Sequence, residues 1–263
     1  MSKTLGLALG SGGSRGVAHA GFLEALEEEG IKPDFIAGCS MGAVVGGCYA
    51  SGMPVSEMKE AILALRMRDI LDVSPAVITK MSVLRGRKVL NLLIKHLCVE
   101  NLEDMKIPFK CVATELYSGK LHVFHKGNAA KAIQASSCIP TVFRPVQIDD
   151  KLFVDGGCLC RLPVKTVKEM GADVVVALDV LKNTAEPIDD VHNILSMVLR
   201  VFDIMDANQT ELRRETEEGL CDLLIEPEIK GMSQYVIKEL QRAYDEGYQA
   251  GKDNAGKIKE LLK

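Results

Sequence analysis

The chain has 263 residues, 47% hydrophobic and 26% charged, which is enough apolar content for one large core and excludes a disordered chain. A formal net charge of −4 lacks the basic footprint of a nucleic-acid-binding protein, so no nucleic-acid partner is expected. Eight scattered cysteines without a signal-peptide pattern point to reduced thiols in the cytoplasm, and no apolar run reaches the roughly 18 residues of a membrane-spanning helix.

Thr4 to Leu9 predicts a buried strand that runs into Gly10-Ser11-Gly12-Gly13-Ser14-Arg15-Gly16. Apolar residues at helical spacing (Ala18, Phe22, Ala25, Leu26) predict a helix from Val17 to Glu29, stopped by Gly30. Phe35 to Gly47 predicts a short strand, a sharp turn at Gly38-Cys39-Ser40-Met41-Gly42 and a further helix. This order predicts an α/β fold: a three-layer arrangement with a mainly parallel central sheet flanked by helices. Pro54-Val55-Ser56 starts another helix.

Val73 to Val99 carries Lys80, Arg85, Arg87, Lys88 and Lys95 but no acidic residue. Its helical part begins near Arg87, with Lys88, Asn91 and Lys95 on one face. Two expectations fit: an amphipathic helix covering the core with its charges in water, or a basic apolar cap over the site that meets an anionic membrane surface.

Phe109 to Ala113 and Leu121 to Phe124 predict two strands around a Ser118-Gly119 turn, and Asn128 to Ser137 a short helix. Val146 to Ile148 and Leu152 to Val154 form a hairpin that delivers Asp155-Gly156-Gly157. After Pro163 come a helix, a buried strand from Val174 to Asp179, and C-terminal helices from about 188, with Leu223 to Ile225 as a last strand between them and Ser233 to Lys263 as the terminal helix. No linker divides residues 1–263, so one domain is expected.

Gly38-x-Ser40-x-Gly42 has the spacing of a nucleophile elbow, in which a strained strand-to-helix turn exposes a serine. The glycine loop fits neither phosphate motif: Arg15 stands where a dinucleotide fingerprint needs glycine, and no Gly-Lys-Ser/Thr follows. Unhindered N–H groups at Gly12 and Gly13, opening onto a helix, suit a developing oxyanion instead. Arg15 either anchors that loop or forms a surface ion pair. For a base, Asp155 ends a strand beside two glycines, whereas His192 lies in a solvated helix start and is the one histidine after Asp155. Cys158-x-Cys160 has no second pair at zinc-ligand spacing, so no metal site is expected.

Together these residues resemble the patatin-like phospholipase family in its compact bacterial single-domain form. Gly12-Gly13-Ser14-Arg15-Gly16 is similar to its oxyanion loop, Gly38-Cys39-Ser40-Met41-Gly42 to its elbow, and Asp155-Gly156-Gly157 to the segment bearing its catalytic acid. Ala135-Ser136-Ser137-Cys138-Ile139-Pro140 resembles a further block, while Ser11 and Arg161-Leu162-Pro163 depart from the common glycine and Asn-x-Pro. The resemblance implies a Ser40–Asp155 dyad that cleaves carboxylic esters of phospholipids, lysophospholipids or related lipids through an acyl-enzyme, without metal or organic cofactor. Two alternatives stay open: a Ser-His-Asp esterase using His192, and a non-catalytic lipid- or protein-binding module.

Overall fold

The computed structural model describes residues 3–72, 82–182, 191–217 and 219–263. Its strands are β1 (Leu5–Leu9), β2 (Phe35–Cys39), β3 (Phe109–Glu115), β4 (Lys120–Phe124), β5 (Val146–Ile148), β6 (Lys151–Asp155), β7 (Val174–Leu178) and β8 (Leu223–Ile225). They form one sheet in the order β5-β6-β3-β2-β1-β7-β8, with β4 also on β3. β1, β2, β3, β7 and β8 pair in parallel, and β4, β5 and β6 pair antiparallel. The sheet is therefore mixed, with the predicted parallel strands at its centre.

The helices are α1 (Ala18–Glu28), α2 (Met41–Ser51), α3 (Val55–Ala64), α4 (Met67–Ile70), α5 (Arg87–His96), α6 (Ala129–Ser136), α7 (Val164–Lys168), α8 (Ile194–Thr216) and α9 (Leu240–Leu261). The two-residue period of β1 explains how they layer. Leu5, Leu7 and Leu9 point into the larger core with Phe22, Leu26, Tyr244 and Ile258 from α1 and α9. Ala8 points to the other face, where Ala37, Val175 and Ala177 meet Val164 and Val167 of α7. Small side chains on that face let the short α7 lie close; buried on both sides, the central strands are apolar throughout.

The register on β3 positions the site. Residues 111–112 of β3 pair with both β4 and β2, and residues 113–115 with both β4 and β6. Since a strand has two edges, β2 and β6 must share the edge opposite β4. β2 runs parallel to β3 and ends with Cys39 opposite Val112; β6 runs antiparallel and ends with Asp155 opposite Ala113. The two strands meet tip to tip, so Ser40 and Asp155 are brought together although 115 positions apart.

Three expectations change. The terminal helix begins at Leu240 rather than Ser233, because residues 232–234 bind the glycine loop through their carbonyls instead. α8 starts at Ile194, where the Asn193 side chain accepts the Ser196 N–H as an N-cap; residues 188–190 lie outside the described residues. Of the predicted cap, residues 73–81 also lie outside them. In the described remainder Leu93 of α5 is buried in the core while Lys88, Asn91 and Lys95 are exposed, as in the plain amphipathic alternative. No helix among the described residues is long and apolar enough to cross a membrane.

Candidate active site

Ser40 joins β2 to α2 with φ 52° and ψ −120°, a conformation that residues other than glycine rarely adopt and that marks stored strain. The turn is possible because the flanking positions carry no side chain. A Cβ at Gly38 would lie 2.5 Å from the Gly42 carbonyl oxygen, and one at Gly42 would lie 2.2 Å from that of Leu9. Ser136 Oγ accepts the Ser40 N–H at 3.0 Å, tying the elbow to the end of α6.

The Ser40 hydroxyl donates to Asp155 Oδ2 at 2.7 Å, and both residues are buried. The other carboxyl oxygen, Oδ1, accepts the Gly157 N–H at 2.8 Å. The Asp155 N–H donates to the Cys138 carbonyl at 2.8 Å, and the Thr114 hydroxyl donates to the Asp155 carbonyl at 3.0 Å. Burial pushes the Asp155 carboxyl up to about 7, against the Gly157 N–H and the Ser40 hydroxyl, which pull it down. Cys39 is fully buried, and its thiol donates to Asp155 Oδ1 at 3.9 Å; burial, then the nearby Asp155, raise the thiol well above its usual value and leave it protonated.

In the glycine loop some amides are already used. The Ser14 N–H donates to the Gln234 carbonyl at 2.9 Å and the Arg15 N–H to the Gly12 carbonyl at 3.0 Å. Gly12 and Gly13 line the cavity beside Ser40, and their N–H groups donate no hydrogen bond among the described residues. Arg15 is an anchor: its Nε donates to the Met232 carbonyl at 2.6 Å, and the Ser14 hydroxyl reaches the Ser233 carbonyl at 2.8 Å. Residues 232–235 are held in turn by α8, since Asp203 accepts from Gln234 Nε2 at 2.8 Å and from the Tyr235 hydroxyl.

The cavity measures about 120 Å³. Ser11, Gly12, Gly13, Ser40 and Asp155 line one side, Ile139 and Pro140 a second, and Leu199, Phe202 and Met205 of α8 a third. None of residues 82–99 lines it, because the apolar side of α5 packs on α6 and α2 instead. No histidine lines it either. His192 is exposed just before α8, and the buried His19 donates from Nε2 to the Gly10 carbonyl at 2.8 Å, behind the loop. This geometry leaves no place for a triad through His192.

Comparison with known proteins decides the family. The patatin-like phospholipase family model matches residues 7–168, more than half of the chain.

The chain belongs to the patatin-like phospholipase family.

Among relatives, an uncharacterized NTE family protein of Mycobacterium tuberculosis is 39% identical over 189 residues, covering 72% of this chain and 52% of that protein. A lysophospholipase of Emericella nidulans is 33% identical over 185 residues, covering 68% of this chain and 12% of its own length. The chain thus spans about half of the first relative and a small part of the second. The crystal structure of VipD from Legionella pneumophila shares the fold: 14% identity, TM-score 0.61, covering 99% of this chain and 67% of that one.

Within this patatin-like domain, sequence reasoning left several residues of the site without roles. Ser136 lies in the Ala135–Pro140 block, but its bond to the elbow joins residues 96 positions apart and has no local signal. Arg161, noted as a departure, is buried and paired with Asp179 at 2.8 Å and Asp206 at 3.0 Å. Asp203, Gln234 and Tyr235 carried no local signal, because their contact joins segments about 30 residues apart.

Proposed function

We propose that the chain is a lipid acyl hydrolase acting through Ser40 and Asp155. The observation that carries this reading is the 2.7 Å hydrogen bond from the strained, buried serine to a carboxyl whose own proton affinity burial has raised toward neutrality. Unshifted, an aspartate near pKa 3.9 is a weak base; near 7 it accepts the serine proton effectively at physiological pH. Ser40 Oγ attacks the ester carbonyl carbon as its proton passes to Asp155 Oδ2. The tetrahedral oxyanion is held by the Gly12 and Gly13 N–H groups, the two amides of the loop not otherwise engaged, each worth about 3 kcal/mol. The alcohol leaves with the proton from Asp155, giving an acyl-Ser40. Water then attacks, Asp155 takes its proton, and the fatty acid departs as Ser40 regains its own.

The family and the fungal relatives, named lysophospholipases, support a phospholipid or lysophospholipid ester as substrate. Eight free cysteines fit action in the reducing cytoplasm, at the surface of a lipid phase. The test is labelling with a fluorophosphonate followed by peptide mapping. The expected adduct is on Ser40 and is absent from Ser40→Ala; an adduct elsewhere, or none, would remove this reading.

A further inference from the structure

The roof of the cavity has an outer surface that the chemistry leaves unused. From Ile194 to Met205 the exposed residues of α8 are Ile194, Leu195, Met197, Val201, Ile204 and Met205, every one apolar. Ile194, Met197, Val201 and Ile204 follow i, i+3, i+7 and i+10 spacing, while Leu199, Phe202, Asp203 and Asp206 face the cavity. Ile194 is 78% exposed and Met205 58%. Scattered exposed apolar residues are ordinary, but an apolar stripe two to three turns long, bordered by the half-buried Arg200, marks an interaction surface.

Two observations identify the occupant. Met205 both lines the cavity and stands 58% exposed, so the stripe is continuous with the rim of the Ser40 site. The cavity, at about 120 Å³, is well below the roughly 300–1,000 Å³ that encloses a drug-sized ligand, so a long acyl chain bound at Ser40 must extend past this rim. An apolar rim suits hydrocarbon better than a charged partner. Packing of a second copy on α8 would cover the exit that the substrate needs.

We infer that the outer face of α8 is a lipid-docking surface, laid into the boundary of a zwitterionic bilayer so that the Ser40 cavity opens onto the lipid phase. This deepens, and rests on, the acyl-hydrolase reading. The basic stripe of α5 is not the docking element, since its residues do not border the cavity.

The test measures cosedimentation of the full chain with phosphatidylcholine vesicles in a Ser40→Ala background, where no lipid is consumed. Combining Ile194→Ser, Met197→Ser and Ile204→Ser, all outside the cavity lining, is expected to weaken vesicle binding at least about tenfold. In the Ser40 protein the same triple change is expected to lower vesicle-lipid hydrolysis and spare turnover of a soluble short-chain ester. A measurement independent of the triple variant's folding uses Val201→Trp: the chain has no other tryptophan, and its emission should shift to the blue when vesicles are added. Unchanged vesicle binding together with an unshifted Val201→Trp emission would overturn the inference. So would loss of binding in Lys88→Glu/Lys95→Glu instead, or a wild-type dimer that the triple change converts to a monomer without vesicle binding. Failure of the hydrolase reading has a different signature: soluble-ester turnover that survives Ser40→Ala, whatever the vesicles show.

Discussion

Ser40 and Asp155 act as one unit in the proposed mechanism, so their losses are expected not to add. Ser40→Ala and Asp155→Asn should each lower kcat by about a thousandfold or more on a soluble ester, and the double variant should be little worse than either single one. Asp155 also sets two pH dependences. As a base it must be ionised, so kcat/KM should rise with pH through about 7 and then level off, in a pH-rate profile that Asp155→Asn no longer shows. For stability the sign runs the other way. The folded carboxyl is raised from 3.8 to about 7, so between those values the folded state holds a proton that the unfolded chain has released. Stability from this group is fully present below pH 3.8 and is lost as pH rises through 7. Asp155→Asn removes that loss, so thermal melts should show its Tm gaining on wild type from pH 5 to pH 8.

At the scale of elements, the glycine loop depends on neighbours far along the chain. Its Ser14 and Arg15 bonds to residues 232–234 fix where the Gly12 and Gly13 amides point, and Asp203 of α8 holds Gln234 and Tyr235 in place. Asp203→Ala should therefore lower kcat on a soluble ester by about tenfold or more with a smaller change in KM, as steady-state kinetics would register. An equal loss through KM alone would mean that Asp203 shapes binding and not the loop. The same C-terminal region holds α9 against α1 at very short range: a Cβ at Gly247 would lie 1.9 Å from the Ala18 carbonyl oxygen. Backbone must move to admit it, so Gly247→Ala should cost about 1–3 kcal/mol or more in urea unfolding. Gly256, further along α9, has open space around it, and Gly256→Ala should not destabilise.

Across the whole molecule, a buried charge cluster ties the sheet to the roof. Arg161 is 4% exposed and joins Asp179, at the end of β7, to Asp206 on α8; Asp179 also takes Arg214 at 2.7 Å, from the C-terminal end of α8. Replacing Arg161 by Met would leave Asp206 without that partner and Asp179 with the Leu181 N–H and Arg214. The expected loss is about 3–5 kcal/mol in denaturant unfolding, because an uncompensated buried charge costs more than the pair contributes. The same cluster holds α8 across the cavity, with one face turned to the Ser40–Asp155 pair and the other to solvent.

The sequence by itself determined the local devices. Gly38-x-Ser40-x-Gly42 was legible because only glycine fits where strand and helix backbones nearly touch, and the continuous apolar runs of β1 and β7 were legible because burial on both faces imposes them. Short-range steric and hydrophobic demands of this kind are written in a few adjacent residues. The tertiary structure decided what those devices meet. That β2 and β6 share one edge of β3, that α8 rather than residues 82–99 roofs the cavity, and that residues 232–235 steady the glycine loop are all long-range pairings. Asp155 sits in an ordinary-looking Asp-Gly pair, and only the register on β3 places its carboxyl 2.7 Å from Ser40 Oγ. Such pairings are set by how whole surfaces pack and exclude water, which no short stretch of residues specifies alone.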